Sequence, residues 1–258
     1  MKILLTFFVT FFAGMGAGLG TGFAGMSAAA VISPMLITFL GMEPYMAVGI
    51  ALSSDVLASA VSAYTYKKNG NLDVKNGLIM MVSVLVFTVV GSWVSSLVPS
   101  TTMGTFSVFM TFLLGIKFIV RPVMTTKEAM QGVSAKKRAI QSVVCGIFIG
   151  FICGFVGAGG GMMMLLILTS VLGYELKTAV GTSVFIMAFT AFTGAVSHFA
   201  IGGAPDWTVW ILCVIFTLLW ARIAAVFANK ATPKTLNRVT GVILVILGIV
   251  VMAFSMFA

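Results

Sequence analysis

Long apolar runs separated by short polar breaks set the pattern of this chain. In the first half the runs cover roughly residues 3–20, 24–40, 45–66, 77–98 and 102–121. In the second they cover roughly 139–156, 161–172, 177–199, 207–228 and 236–257. They are continuous rather than alternating, so each reads as a helix, and most approach the roughly 20 residues of a bilayer crossing. A membrane β-barrel would instead alternate apolar with polar positions. The breaks are glycine turns and short loops such as KKNGNLDVK, VPST and NKATPKTLNR. The pattern predicts an all-α integral membrane protein.

The pattern also occurs twice. LGMEPYMAVG (40–49) and LGYELKTAVG (172–181) share six of ten residues at an offset of 132. At that offset Gly14 aligns with Gly146, Gly18 with Gly150, Gly22 with Gly154, Gly25 with Gly157 and Gly70 with Gly202. This gives a first membrane repeat over 1–122, a basic cytoplasmic linker over 123–138 and a second repeat over 139–258. Residues 3–40 as one helix would be about 57 Å long, against a hydrocarbon core of about 30 Å. The segment must therefore break, with Gly20, Gly22 and Gly25 as the places where it can. It either crosses twice or dips in and returns. Three further crossings follow, so each half makes an odd net number and the second half should be inverted. Each repeat is then a glycine-broken helix pair plus three transmembrane helices.

Basic residues agree with inversion. With both termini outside, twelve lysines and arginines fall in inside loops and only Lys2 outside. Eight simple crossings would place nine inside and strand Lys177, Lys230, Lys234 and Arg238 outside.

Composition supports the class. The chain is 60% hydrophobic and 8% charged, with a mean hydropathy of +1.16, where a soluble domain carries about a quarter charged residues. The net charge of +9 marks cytoplasmic loops here, not nucleic-acid binding. Cys145, Cys153 and Cys213 lie within apolar runs without metal-ligand spacing and read as packing residues. The start, MKILLTFFVTFFAGMGAG, has the look of a signal peptide. Its repeat partner, 140–157, lies mid-chain, so residues 1–20 are expected to stay. One histidine, no acid pair and no P-loop leave no enzyme, metal site or cofactor to propose.

The glycine runs carry the candidate chemistry. A helix starting at about Gly159 would present unpaired N–H groups and a positive dipole end, and glycine lets an anion approach them. A matching start lies at GFAGMSAAA, where Ser27 adds a hydroxyl. Broken helices in inverted repeats point to a transporter with a midplane site. Candidate substrate-binding residues are Gly25, Met26 and Ser27 in the first copy and Gly157, Gly159, Gly160 and Gly161 in the second. The plain alternative is close helix packing. Ser53, Ser54, Thr182 and Ser183 follow AVG in the two copies and could donate hydroxyls to an oxyanion, or bond back to their own helix. Asp55, deep in an apolar run, is costly to bury ionised, so it should hold a proton or pair with a cation or hydroxyl. It is the candidate proton-coupling group, with a structural hydrogen bond to a neighbouring serine or backbone as the plain alternative, and its repeat partner is Met187. Glu43 and Glu175 are expected to cap the helices that follow them. Lys117, Arg121 and Arg222 read as interfacial, with Arg222 alternatively drawing anions inward.

These features together resemble the sulfite exporter TauE/SafE family of bacterial membrane transporters. The resemblance rests on chain size, the paired turns GFAGMS and GFVGAGGG, the paired LGxExxxAVG signatures and the basic linker. It implies transport of sulfite, an organosulfonate or a related anion across the bacterial cytoplasmic (inner) membrane by a multi-pass protein. It puts the glycine motifs at Gly22–Ser27 and Gly154–Gly161. The family often has a proline soon after the glycines; Pro34 fits this in the first copy, while the second has Leu166. The expected partners are a small anionic substrate, the lipid bilayer and protons. A passive anion channel and a non-transporting membrane scaffold are the competing readings.

Overall fold

The structure, a computed structural model, describes residues 2–95, 116–117, 119–126, 134–156, 160–202 and 204–257. The long helices among them are α1 (Lys2–Ala24), α2 (Ala29–Leu40), α3 (Pro44–Lys68), α4 (Val74–Ser95), α5 (Ala135–Val156), α6 (Gly160–Ser170), α7 (Leu176–Gly202), α8 (Trp207–Lys230) and α9 (Pro233–Phe257). Six of these, α1, α3, α4, α7, α8 and α9, are long and apolar enough to cross a membrane. Large apolar side chains such as Phe12, Val89, Ile215, Leu219 and Ile246 cover the outside, as a lipid solvent allows. The chain is a multi-pass, all-helical membrane protein. Most of the expected run 102–121 lies outside the described residues, as do Gly157 and Gly159.

Helix starts in the two halves keep step. α1 to α4 begin at 2, 29, 44 and 74, and α5 to α8 at 135, 160, 176 and 207, giving offsets of 133, 131, 132 and 133. Helix α5 starts at Ala135, within the stretch expected as linker, with Ser134 Oγ accepting from the Lys137 N–H at 3.4 Å. Among the three glycines offered as break points, α1 runs unbroken through Gly20 and Gly22 and ends just before Gly25. Gly22 serves packing instead: a Cβ there would lie 2.5 Å from the Cβ of Ala224.

Glycine contacts fix the helix directions. Gly14 lies on Phe216, Gly18 on Trp220 and Gly22 on Ala224, so α1 and α8 run parallel in steps of one turn. Gly146 lies on Met80 and Ser83 and Gly150 on Val84 and Phe87, so α4 and α5 run parallel in the same manner. Small residues allow these close approaches within a membrane. The pair α3 and α7 behaves differently. Gly49 meets His198, Leu52 meets Gly194, and Tyr66 meets Gly181. Numbers rise on one helix as they fall on the other, so α3 and α7 are antiparallel.

Helix α2 is short. Its 12 residues span about 18 Å, less than the roughly 30 Å hydrocarbon core. It ends on Gly41 in the left-handed conformation (φ 61°), the usual glycine terminator. Helix α3 then starts with Pro44 in its first turn and Glu43 as its cap. The Glu43 carboxylate accepts from the N–H groups of Tyr45 (3.0 Å) and Met46 (2.8 Å), which satisfies donors that would otherwise be orphaned.

Candidate functional site

Helix α1 stops because the chain turns left-handed at Gly25 (φ 61°), a conformation that costs any residue with a Cβ. Three bonds clasp the turn. The Gly25 N–H donates to Thr21 O at 2.9 Å, the Met26 N–H to Gly20 O at 3.2 Å, and Thr21 Oγ1 to Met26 O at 2.8 Å. Met26 is buried and Ser27 partly so. A Cβ on Gly25 would also lie 2.0 Å from Ser183 Oγ of α7. Ser183 donates to the Gly25 carbonyl at 3.3 Å.

The second glycine run docks on the first. A Cβ on Gly161, in the first turn of α6, would sit 2.4 Å from the Gly25 carbonyl oxygen and 3.1 Å from the Ser27 nitrogen. It would also sit 2.5 Å from Met187 Sδ. Gly160 opens the same helix. The structure thus gathers Gly25, Ser27, Gly161 and Ser183 at one point.

Asp55 stands at that point as well. No N-cap side chain of α2's own serves its start. The Asp55 carboxylate does so from α3: Oδ2 accepts from the Ala28 N–H at 3.1 Å and from Ser27 Oγ at 2.8 Å. Oδ1 accepts from Ser59 Oγ at 2.8 Å. Asp55 is only 1% exposed, and these three donors, not a cation, satisfy it. The first helix start is therefore already occupied by a carboxyl group, supplied by the protein. Met187 stands at the corresponding position beside Gly161, so among the described residues no such carboxylate meets the second start. The sequence hint for Ser59 was its placement one turn after Asp55; the reach back to Ala28 left no local signal.

The remaining hydroxyls lie apart from this centre. Ser54 Oγ donates to Ile50 O at 2.8 Å. Ser53 Oγ does the same at 2.8 Å and accepts from Trp210 Nε1 at 2.7 Å. Thr182 Oγ1 accepts from the Asp73 N–H at 3.2 Å.

Asp73 belongs to a polar network that sequence reasoning did not single out. It lies in the loop between α3 and α4, packed against α7. Tyr174 Oη donates to Asp73 Oδ2 at 2.8 Å, and Arg138 lies 5.0 Å over the Tyr174 ring. Burial first, then the Asp73 carboxylate, holds the Tyr174 phenol well above its ordinary range, so it stays a donor. Asn71 Nδ2 donates to Asn229 Oδ1 at 2.6 Å, and Lys177 Nζ to Asn229 O at 2.9 Å. These bonds tie the first half to the second beside Tyr66, whose hydroxyl donates to Gly22 O at 2.8 Å. At the other end of the α3–α7 pair the link is aromatic, with the Tyr45 and His198 rings 4.1 Å apart.

Comparison with known proteins finds relatives along most of the chain. A probable membrane transporter protein, YunE of Bacillus subtilis (strain 168), is 25% identical over 244 residues, covering 87% of this chain and 89% of the relative. A probable membrane transporter protein of Haemophilus influenzae is 26% identical, covering 91% and 86%. YdhB of B. subtilis, also a probable membrane transporter protein, is 23% identical, covering 80% and 84%. No solved structure matches. The family model for the sulfite exporter TauE/SafE matches residues 10–251. With that match running from within α1 to within α9, the chain belongs to the sulfite exporter TauE/SafE family of membrane transporters.

Proposed function

We propose that this protein is a secondary transporter of a small oxyanion, sulfite or an organosulfonate, built from two inverted repeats and coupled to protons through Asp55. The observation that carries the reading is the inequality of the two helix starts. Asp55 fills the start of α2, while α6 opens onto the same point with Gly160 and Gly161 and faces Met187 instead of an acid. An oxyanion spreads its charge over several oxygens and suits backbone N–H donors at a helix start. It would bind at α6, beside Ser27 and Ser183.

A resident carboxylate next to that position repels a second anion while it is ionised. Protonation removes the repulsion. The proton has a place to go: on Oδ1 it reverses the Ser59 bond, with Asp55 donating and Ser59 accepting, while Oδ2 keeps its two donors. Asp55, Ser59, Ser62 and Tyr66 form one buried face of α3. Ser62 Oγ is buried without a hydrogen-bond partner among the described residues. This file of hydroxyls, running from Asp55 toward the Asn71–Asn229 contact, supports a proton route along α3.

The antiparallel packing of α3 and α7, which occupy equivalent places in the two halves, supports inversion. So do the two matching parallel pairs, α1 with α8 and α5 with α4. In this reading α2 and α6 are re-entrant, since α2 is too short to cross.

The test is flux of labelled sulfite and of a simple sulfonate into proteoliposomes, with and without an imposed pH gradient. Saturable uptake that follows the gradient is expected. Unsaturable flux would mean a channel, and no flux of either anion would remove the substrate class.

A further inference from the structure

A basic feature lies away from the central site. Where α3 ends against α8, a cavity of about 470 Å³ opens between the two helices. Its polar lining is Tyr64, Thr65, Lys68, Asn69 and Arg222. Lys68 and Arg222 are both exposed, and neither makes an ion pair or hydrogen bond among the described residues. No carboxylate lines the cavity. Two cations left facing one space, with a tyrosine beside them, call for an anion from outside the protein.

The surroundings decide which anion. The cavity lies on the outer face of the helix pair, where Tyr64 is 68% exposed. Val61 and Val226 form its apolar side. One to two turns earlier on the two helices, at helical spacing from Val61 and Arg222, Leu57, Ile215 and Leu219 are also exposed. A polar, cationic end followed by an apolar strip matches a molecule with a charged head and a hydrocarbon tail. The cationic end lies where the chain carries Lys67 and Lys68 on α3 and Lys230 on α8, because those two helices run parallel, as Ser53 with Trp210 and Thr65 with Arg222 show. The fold does not impose this feature on both ends. At the repeat offset Lys68 corresponds to Ala200 and Arg222 to Val90.

We propose that this groove binds an anionic phospholipid from the leaflet at the lysine-rich end. Lys68 and Arg222 hold its phosphate, and its acyl chains lie along Leu57, Ile215 and Leu219. The site is separate from the central glycine turns and stands whether or not the transport reading holds.

The full-length protein, purified in detergent, is melted in the presence of short-chain phosphatidylglycerol, phosphatidylcholine of the same chain length, or inorganic phosphate. Phosphatidylglycerol should raise the melting temperature, and the other two should not. In Lys68→Gln/Arg222→Gln the apparent affinity for phosphatidylglycerol should fall at least about tenfold, while Lys234→Gln, on an exposed lysine at the start of α9 that does not line the cavity, keeps it. Equal affinity in the double variant overturns the site. Stabilisation by inorganic phosphate equal to that by phosphatidylglycerol overturns the lipid assignment in favour of a free anion. An equal loss in Lys234→Gln overturns it in favour of general surface charge. If the double variant does not fold, Lys68→Gln alone, exposed at a helix end, carries the same comparison.

Discussion

At the scale of single residues, two glycines in the same conformation separate backbone strain from site geometry. Gly25 and Gly41 both have φ 61°, but a Cβ on Gly41 meets nothing within 4 Å, whereas one on Gly25 meets Ser183 Oγ at 2.0 Å. Gly41→Ala should cost about 1–2 kcal/mol from left-handed strain alone. Gly25→Ala should cost clearly more, read as a larger drop in melting temperature in detergent. Equal drops would mean that the close contact with Ser183 has no weight. Asp55→Asn is the second residue-scale prediction. Asparagine keeps the size and an acceptor for Ala28, so the protein should still fold and insert. Its transport should no longer follow the pH gradient, and retained gradient dependence would take Asp55 out of the coupling step. The lone acid in an apolar run was legible in the sequence. Its partners were not, because Ser27 and Ala28 come to it from across a helix break and periodicity within α3 says nothing about them.

At the scale of elements, the hydrophobic runs that fall on described residues gave helix positions to within about five residues, since a bilayer-length apolar run has few other ways to satisfy its backbone. The pairing of those helices was less legible. Gly14, Gly18 and Gly22 announced a close-packed face, but not that α8 fills it. The break lay at Gly25 and not at Gly20 or Gly22 for the same reason: a glycine permits either a turn or a close approach, and only the partner helix decides which. The antiparallel order of α3 and α7 can be tested directly. In a background lacking native cysteines, Leu52→Cys with Gly194→Cys should cross-link on mild oxidation. Leu52→Cys with Gly181→Cys should not, because Gly181 lies against Tyr66 at the far end. Cross-linking of the second pair in place of the first would reverse the packing order.

At the scale of the whole molecule, inversion predicts that the α3–α4 and α7–α8 connections lie on opposite sides of the membrane. Cysteines placed at Gly70 and Gly202 should react with an impermeant thiol reagent added to opposite faces of oriented vesicles. Labelling from one face only would end the inverted-repeat reading and with it the shared central site. The offset of 132 between LGMEPYMAVG and LGYELKTAVG was legible, and the starts of α1 to α4 and α5 to α8 keep nearly the same step. The polar network of Asn71, Asp73, Tyr174 and Asn229 was not legible, because its members come from two separate loops and one helix end and carry no common motif.

The pairing of α1 with α8 also has a consequence for synthesis. Gly18 and its neighbour Trp220 are about 200 residues apart in the chain. At about 5–20 residues per second, a ribosome needs on the order of 10–40 s to make the second after the first. During that interval the glycine face of α1 lies in the bilayer without its partner. The first half cannot mature as a finished module before the second arrives, so insertion must keep α1 from packing elsewhere until α8 is made. A ribosome that stalled before residue 207 would leave a fragment whose α1 glycine face lacks the α8 partner it packs on.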